Sequence, residues 1–166
     1  MTMVDAAPST RESLLEEAYA RIFRYLVRLC RGDREEAREL GQEAMVRVLR
    51  AMDGLRDETR WIPWTLRIAS NVWRDSVRRR KTARLDSDLA DSGVGDPAGT
   101  REYVEAVLRR VHELPELYRN ALVLRYLEAL DYDSMAEILE CPVGTVRSHV
   151  ARGLEMVRRS LKGEEP

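Results

Sequence analysis

One interruption divides this sequence into two stretches of helical pattern. Between residues 82 and 100 the chain is rich in Gly, Asp and Ser, and it sustains no apolar period. On both sides of this segment, apolar residues recur every three or four positions, which is the spacing of one face of an α-helix. No stretch alternates in the manner of a half-buried strand. The pattern therefore predicts an all-α protein, with two small helical domains joined by a flexible linker.

The interruption also sets the predicted boundaries within the chain. Residues 1–85 are predicted to form the first domain, residues 86–100 an acidic flexible linker, and residues 101–166 the second domain. The first domain carries the apolar stripes of three helices, and the second carries those of four shorter ones. These four helices are predicted near residues 101–112, 115–127, 133–139 and 143–161.

Suitable residues stand at the predicted helix ends of the first domain. Gly32 is predicted to end the first helix, and Asp33 with Glu36 forms a variant of the capping box at the start of the second. Gly41 lies inside the second apolar stripe, where glycine costs about 1 kcal/mol against alanine. The third helix is predicted to begin at residue 61 or 63 and to end at residue 80.

Composition excludes several classes of protein. No apolar run reaches the roughly 18–20 residues that cross a bilayer, and the first ten residues lack a secretion-signal pattern. Cys30 and Cys141 lie far apart, and the chain has only two histidines, so neither a disulfide framework nor a zinc site is expected. No P-loop or nucleophile motif is present. We therefore expect a cytoplasmic protein without membrane insertion, catalytic residues, metal, cofactor or small-molecule substrate.

The formal net charge of −1 hides an uneven distribution along the chain. Residues 1–85 have a net charge of +5, whereas residues 86–100 have a net charge of −4. Two shorter segments are strongly basic: residues 67–84 carry +6 and residues 141–162 carry +4. Local basic surfaces on a nearly neutral chain indicate a polyanionic partner.

The second basic segment has the spacing of a helix-turn-helix. A short apolar helix is followed by a tight turn at residues 140–142 and by a second helix that buries Val146 and Val150. The second helix of this motif enters the DNA major groove, where Arg binds guanine and Ser or Thr binds phosphate. An ordinary helical hairpin is the alternative interpretation. The side predicted to face the groove carries Thr145, Arg147, Ser148, Ala151 and Arg152.

The first basic segment suits the capture of an unpaired strand. Basic side chains can follow a phosphate backbone, and Asn71 can hydrogen bond to the edge of an extruded base. Trp61, Trp64 and Trp73 lie nearby and could stack bases, although core positions are the commoner role for tryptophan. A solvated basic helix end is the alternative interpretation of the charge run. The predicted polar face consists of Arg67, Ser70, Asn71, Arg74, Asp75 and Arg78.

Several short runs occur in an order that is typical of one family. They are Leu40-Gly-Gln-Glu43, Ile68-Ala-Ser-Asn71, Arg78-Arg-Arg80 and Pro142-Val-Gly-Thr-Val-Arg-Ser148. With these runs, the chain resembles the extracytoplasmic-function (ECF) class of sigma factors in the sigma-70 family of bacterial RNA polymerase. The first domain resembles sigma region 2 and the second resembles region 4. The resemblance covers about residues 12–162.

This resemblance implies a function, partners and site residues. The chain would bind core RNA polymerase and direct transcription initiation at promoter DNA, and a cognate anti-sigma factor would be a further partner. The residues implied to dock on core polymerase are Glu39, Leu40, Gln42 and Glu43. Those implied to contact the non-template strand of the −10 element are Arg67, Asn71, Arg74, Asp75, Arg78 and Arg79. Those implied to read the −35 duplex are Thr145, Arg147, Ser148, His149 and Arg152.

The sequence departs from the family pattern, and other functions stay open. Glu140 stands in the turn where the family usually has Gly, so a positive φ at this position would be strained. His149 stands where Arg is common. A stand-alone helix-turn-helix regulator would bind its operator without polymerase, and a module that sequesters another protein is a further alternative. The absence of clustered catalytic residues argues against an enzyme.

Overall fold

The computed structural model describes residues 11–83 and 100–163, and these residues form seven α-helices. The N-terminal half consists of α1 (Arg11–Leu29), α2 (Arg34–Ala51) and α3 (Trp61–Ala83). The C-terminal half consists of α4 (Thr100–Glu113), α5 (Glu116–Leu122), α6 (Tyr132–Leu139) and α7 (Val143–Leu161). Short 3₁₀ turns at Met52–Gly54 and Glu58–Arg60 lie between α2 and α3. No described residue belongs to a strand, which confirms the all-α prediction.

Two other predictions lie outside the described residues. The first is that the opening 8–9 residues, rich in Ala, Thr and Pro, are frayed. The second is the flexible linker over residues 86–100, of which only Thr100 is described, as the first residue of α4. Over the described ranges, no helix is both long and apolar enough to cross a membrane.

The turn between α1 and α2 follows the predicted capping chemistry. Gly32 has a φ of 88°, a conformation that glycine adopts without the clash of a Cβ atom. Asp33 then caps α2, because its Oδ1 accepts hydrogen bonds from the backbone N–H groups of Glu35 and Glu36, both at 3.0 Å. This short, well-capped turn lets α2 fold back against α1.

The core of the N-terminal half forms where α3 packs on α1 and α2. Leu66 and Val72 are buried on the inner face of α3, and Trp73 is only 2% exposed. Trp61 is also buried, and its Nε1 donates a hydrogen bond to the Leu14 carbonyl at 3.1 Å. Trp61 and Trp73 therefore serve as core residues.

The helix predicted over residues 115–127 is present, but it is not a regular α-helix throughout. It changes after α5 into one wide π-type turn at Val123–Leu127, in which the Glu128 N–H donates to the Val123 carbonyl at 3.0 Å. Arg125 then donates to the Leu130 carbonyl at 2.8 Å, which holds the chain that leads into α6. Apolar periodicity does not distinguish this widened turn from a regular helix, so the sequence could not predict it.

The two halves pack against each other through a buried hydrogen-bond chain. The Tyr25 hydroxyl on α1 donates to Asn120 Oδ1 on α5 at 2.7 Å, and Asn120 Nδ2 donates to Ser70 Oγ on α3 at 3.2 Å. All three side chains are buried. Burial raises the pKa of Tyr25, so this hydroxyl stays protonated over the physiological range. Ser70 therefore lies under the C-terminal half and not on the open polar face of α3, where it was predicted.

Charged groups add a second set of contacts between the halves. Glu128 is buried, and its carboxylate accepts hydrogen bonds from Arg21 at 3.2 Å and from Arg28 at 2.7 Å. The buried Arg119 guanidinium donates to the carbonyl of Leu29, which is the last residue of α1. Burial, together with the nearby charge of Arg31, lowers the pKa of Arg119. Each buried charge thus has a partner from the other half.

Candidate nucleic-acid and polymerase interfaces

Helix α7 has one buried apolar side and one exposed polar side. Val146 and Val150 are buried against the rest of the C-terminal half. Arg147, Ser148 and Arg152 are exposed on the opposite side, as predicted, and Thr145 is half-buried. The exposed side can therefore reach a DNA groove without disturbing the core.

His149 lies apart from this exposed row. Its ring packs edge-on against Tyr118 on α5 with centroids 5.9 Å apart, and its buried Nδ1 has no hydrogen-bond partner. Burial and the neighbouring Arg152 lower the pKa of His149, which favours the neutral ring. The structure thus places His149 toward α5, whereas the resemblance implied a contact with the DNA duplex.

Tyr132 contacts Arg147 of α7, and the sequence analysis missed it. The guanidinium of Arg147 lies 5.3 Å from the Tyr132 ring centroid, and that of Arg125 lies 4.7 Å from the same centroid. Stacking of a guanidinium on an aromatic ring restricts its rotamers and leaves its N–H donors available at the edge. The Tyr132 ring therefore lies within cation–π distance of Arg147 and restricts the space open to its side chain.

The turn of the helix-turn-helix contains the expected strained residue. Glu140 has φ 54° and ψ 43°, in the left-handed region that disfavours side chains with a Cβ atom. The Glu140 and Cys141 N–H groups both donate to the Ala136 carbonyl, which closes the end of α6. A glycine at this position would close the same turn without strain.

The predicted −10 residues lie on adjoining rows of α3. Arg67 is exposed, and Asn71 and Arg74 are half-buried on the side that faces α6. Arg74 also donates to the Leu139 carbonyl at 3.4 Å. These three residues, Arg67, Asn71 and Arg74, are called the α3 cradle below. Their donors converge on one place at the surface, which is suited to an anionic group.

The rest of the predicted −10 set faces α2. Asp75 accepts a hydrogen bond from Arg78 at 2.9 Å and lies 3.7 Å from Arg47, while Arg79 approaches Glu43 at 3.8 Å. An open cleft of about 420 Å³ joins this side to the cradle. It is lined by Arg47, Asn71, Arg74, Asp75, Arg78 and Glu140. The cleft thus connects most of the residues that the resemblance assigned to one DNA strand.

A pair of tryptophans lies at the start of the same helix. Trp61 and Trp64 stack with ring centroids 5.5 Å apart and an interplanar angle of 28°. Trp64 is half-buried, so part of its surface remains open to a ligand, whereas Trp61 and Trp73 are covered. Of the three, Trp64 alone is exposed enough to stack a base.

The predicted polymerase-docking residues on α2 divide into two groups. Glu39 and Gln42 are exposed, and Glu43 is half-buried with its carboxylate 2.6 Å from Arg47. Leu40 is only 6% exposed and packs in the core, so it supports the helix from inside. Glu39, Gln42 and Glu43 are the members of this set that a partner can touch.

The C-terminal half closes over the α3 cradle through Glu140. Its Oε2 accepts a hydrogen bond from Arg74 at 3.1 Å, and its Oε1 lies 3.3 Å from Arg67 Nε and 3.4 Å from Asn71 Nδ2. Partial burial raises the pKa of Glu140, but the hydrogen bonds from Asn71 and Arg74 outweigh it and keep the pKa below its usual value. The carboxylate is therefore ionised at neutral pH and occupies the place where the donors converge.

Two exposed basic surfaces, one of them on a helix-turn-helix, define a helical DNA-binding protein. Family comparisons agree: residues 14–83 match the family described as Sigma-70 region 2, and residues 104–157 match that described as Sigma-70, region 4. The chain is 32% identical over 145 residues to the RNA polymerase sigma-H factor of Pseudomonas aeruginosa, covering 78% of this chain and 75% of that protein. It is 34% identical over 136 residues to the ECF RNA polymerase sigma-E factor of Escherichia coli K12, covering 73% of this chain and 71% of that protein.

Solved structures share the fold. The sigma factor RpoE, in a co-crystal structure with the anti-sigma factor NepR from Bartonella quintana, matches with a TM-score of 0.78 and 20% identity. That match covers 93% of this chain and 98% of RpoE. CnrH, solved in complex with the cytosolic domain of CnrY, matches with a TM-score of 0.65 and 19% identity, covering 95% of this chain and 93% of CnrH.

These matches span both halves of the chain. The chain therefore belongs to the sigma-70 family of RNA polymerase sigma factors, in its ECF class. It is a transcription-initiation factor whose partners are core RNA polymerase and promoter DNA. The family identification predicted from the sequence is confirmed.

Proposed function

We propose that the chain reads a promoter with two separate surfaces and docks on core polymerase with a third. The exposed side of α7 reads the −35 duplex, the polar face of α3 captures the −10 non-template strand, and exposed residues of α2 contact polymerase. The domain boundaries proposed for this division are residues 1–85, 86–100 and 101–166. The chain itself carries no catalytic step, and it acts in the cytoplasm.

The observation that carries the promoter-reading proposal is the open side of α7. Arg147 and Arg152 are exposed there, and the Tyr132 ring lies within cation–π distance of Arg147. A bidentate contact between Arg and guanine contributes roughly 1–3 kcal/mol of discrimination against another base. Thr145 and Ser148 are proposed to bind the flanking phosphates, for which the Ser148 hydroxyl must leave the Gly144 carbonyl to which it donates at 3.0 Å. His149 is omitted from the proposed contacts because it faces α5.

Run-off transcription with purified core polymerase on a promoter library tests the proposal. We expect transcripts to depend on this chain, and Arg147→Ala to relax base preference within the −35 element. A stand-alone helix-turn-helix regulator would instead bind its operator equally well without polymerase. Transcription that does not depend on the chain would reject the proposed function.

The strand-capture role is tested with Asn71→Ala in the holoenzyme. Extruding a base from the duplex costs a few kcal/mol, and contacts in the protein must offset that cost. We expect fewer permanganate-reactive thymines near −10 and slower transcription from duplex promoters. Transcription of a fully duplex promoter at the wild-type rate would exclude a role for Asn71.

Docking on polymerase is tested by reversing one charge on α2. Glu43→Arg removes the carboxylate and places a cation beside Arg47, so we expect weaker binding to core polymerase in a titration. Glu43→Gln removes the charge without adding repulsion and should weaken binding less. Glu113→Arg on α4 is the matched control, because Glu113 pairs with Arg110 on the same helix. Unchanged affinity for Glu43→Arg would exclude the docking role.

A cognate anti-sigma factor is a further proposed partner. The support is the shared fold with two sigma factors, of which RpoE was solved with an anti-sigma factor. Affinity purification of the tagged chain from its native cells, with core polymerase removed, tests this partner. Recovery of a protein that blocks run-off transcription when it is added back would support the proposal, and recovery of no such inhibitor would count against it.

A further inference from the structure

The carboxylate of Glu140 occupies the donors that the proposed function assigns to DNA. Arg67 and Arg74 are cations, and Asn71 adds a neutral N–H donor. A phosphodiester strand offers these groups the same chemistry as a carboxylate does, an anion with several acceptor oxygens. One set of donors cannot serve both anions at the same time.

The backbone at Glu140 gives an independent reason to assign a role to this side chain. A left-handed residue at the end of α6 is usually Gly or Asn, because a Cβ atom is strained there. Strain of this kind persists where surrounding contacts over-determine it, and it is often found at switches and binding sites. The side-chain hydrogen bonds of Glu140 in the described structure are with the other half of the molecule.

The closed arrangement affects the two DNA surfaces differently. Arg147, Ser148 and Arg152 remain exposed, so the proposed duplex-reading side of α7 is open. The side chains of the α3 cradle remain partly exposed, but their hydrogen bonds are already taken by the Glu140 carboxylate. Freeing the cradle therefore requires the Glu140 carboxylate to leave these three donors.

We propose that Glu140 is an intramolecular latch that competes with the −10 strand for the α3 cradle and keeps the free chain from capturing single-stranded DNA. This inference rests on the proposed strand-capture role of α3. Because the latch is part of the same molecule, its effective concentration at the cradle is high, and a strand must displace it. Binding of the strand is weakened by the fraction of molecules in which the latch is closed.

The test measures binding of a fluorescein-labelled, 20-nucleotide single-stranded DNA of random sequence to the full chain without polymerase. Glu140→Gly removes the side chain and relieves the backbone strain, so folding is not at risk. Glu140→Gln keeps the size of the side chain and removes its charge. Glu155→Gln is the control for net charge, because Glu155 pairs with Arg158 on its own helix.

We expect Glu140→Gly to bind the strand about tenfold more tightly than wild type, Glu140→Gln to lie between them, and Glu155→Gln to stay within twofold. Adding Asn71→Ala to Glu140→Gly should remove the gain, because the gain arises at the cradle. An equal gain in Glu155→Gln would overturn the latch, as would a gain that survives Asn71→Ala or no gain in Glu140→Gly.

A second measurement separates failure of the latch from failure of the proposed function. Run-off transcription with wild-type chain and core polymerase tests the proposed function alone. Suppose that the wild-type chain initiates normally, that Asn71→Ala is defective, and that Glu140→Gly binds the strand no more tightly. The proposed function then stands, and the latch is rejected. Charge exchange in Arg74→Glu with Glu140→Arg should restore protection of the turn in hydrogen exchange, whereas either single change should reduce it.

Discussion

At the scale of single residues, Asn120 connects three helices. It accepts a hydrogen bond from Tyr25 and donates one to Ser70, all out of contact with water. We expect Asn120→Ala to lower the free energy of unfolding by about 1–3 kcal/mol, because buried hydroxyl groups lose their partner. Urea denaturation measures this loss. In a double-mutant cycle with Tyr25→Phe, the two losses should be less than additive, and full additivity would contradict the contact.

His112 gives the fold a dependence on pH. Burial lowers its pKa, and the charges of Arg119 and Arg31 act in the same direction. The unfolded chain therefore binds a proton at a higher pH than the folded chain, so stability falls as the pH drops below the ordinary histidine pKa of about 6.5. We expect His112→Gln to reduce the loss of unfolding free energy between pH 7 and pH 5. If the unfolding free energy of His112→Gln depended on pH as strongly as that of the wild type, other titratable groups would be its cause.

At the scale of helices, two glycines predict opposite effects of the same substitution. A Cβ at Gly41 in α2 would lie 3.9 Å from Leu26, an ordinary contact, whereas a Cβ at Gly153 in α7 would lie 3.1 Å from Leu122. Alanine favours a helix by about 1 kcal/mol over glycine. We therefore expect Gly41→Ala to raise the midpoint of thermal unfolding, and Gly153→Ala to lower it by separating α5 from α7. A higher midpoint for both would mean that α7 can shift.

The helices are also the scale at which sequence reasoning worked best. Apolar period, the Asp33 cap and the turn before α7 depend on neighbours within a few positions, so they can be read locally. The π-type turn at Val123–Leu127 could not be predicted, because it follows directly on the continuous apolar run of residues 121–124, in which no helical register is visible. The side on which His149 lies follows from its spacing of three residues from the buried Val146 and four from the buried Gly153. What could not be predicted is its ring partner Tyr118, which is distant in sequence and packs against it only in the folded chain.

At the scale of the whole molecule, the two halves share one apolar core. The contacts that join them, such as Tyr25 with Asn120 and Arg28 with Glu128, link residues about a hundred positions apart. Two separate helical patterns could predict each half from the sequence. They could not predict that buried polar side chains of one half hydrogen bond to the other half, because no local sequence signal identifies partners that are far apart in the chain.

This shared core predicts cooperative unfolding. All three tryptophans lie on α3, so their fluorescence reports the N-terminal half, while circular dichroism reports both halves. We expect the two signals to coincide during urea unfolding of the wild type. In Glu128→Ala the transitions should separate, because Arg21 and Arg28 lose their buried partner. Separate transitions in the wild type would contradict a shared core.

The left-handed backbone at Glu140 has a consequence for heredity. Glutamate and glycine codons differ only at the middle base, and glycine is the residue that this backbone accepts without strain. A single nucleotide change can therefore remove the carboxylate and improve the local geometry together. In a genetic selection for growth that depends on output from a weak target promoter, sequencing is expected to recover E140G repeatedly. One reversible nucleotide change can thus remove the proposed Glu140 latch or restore it.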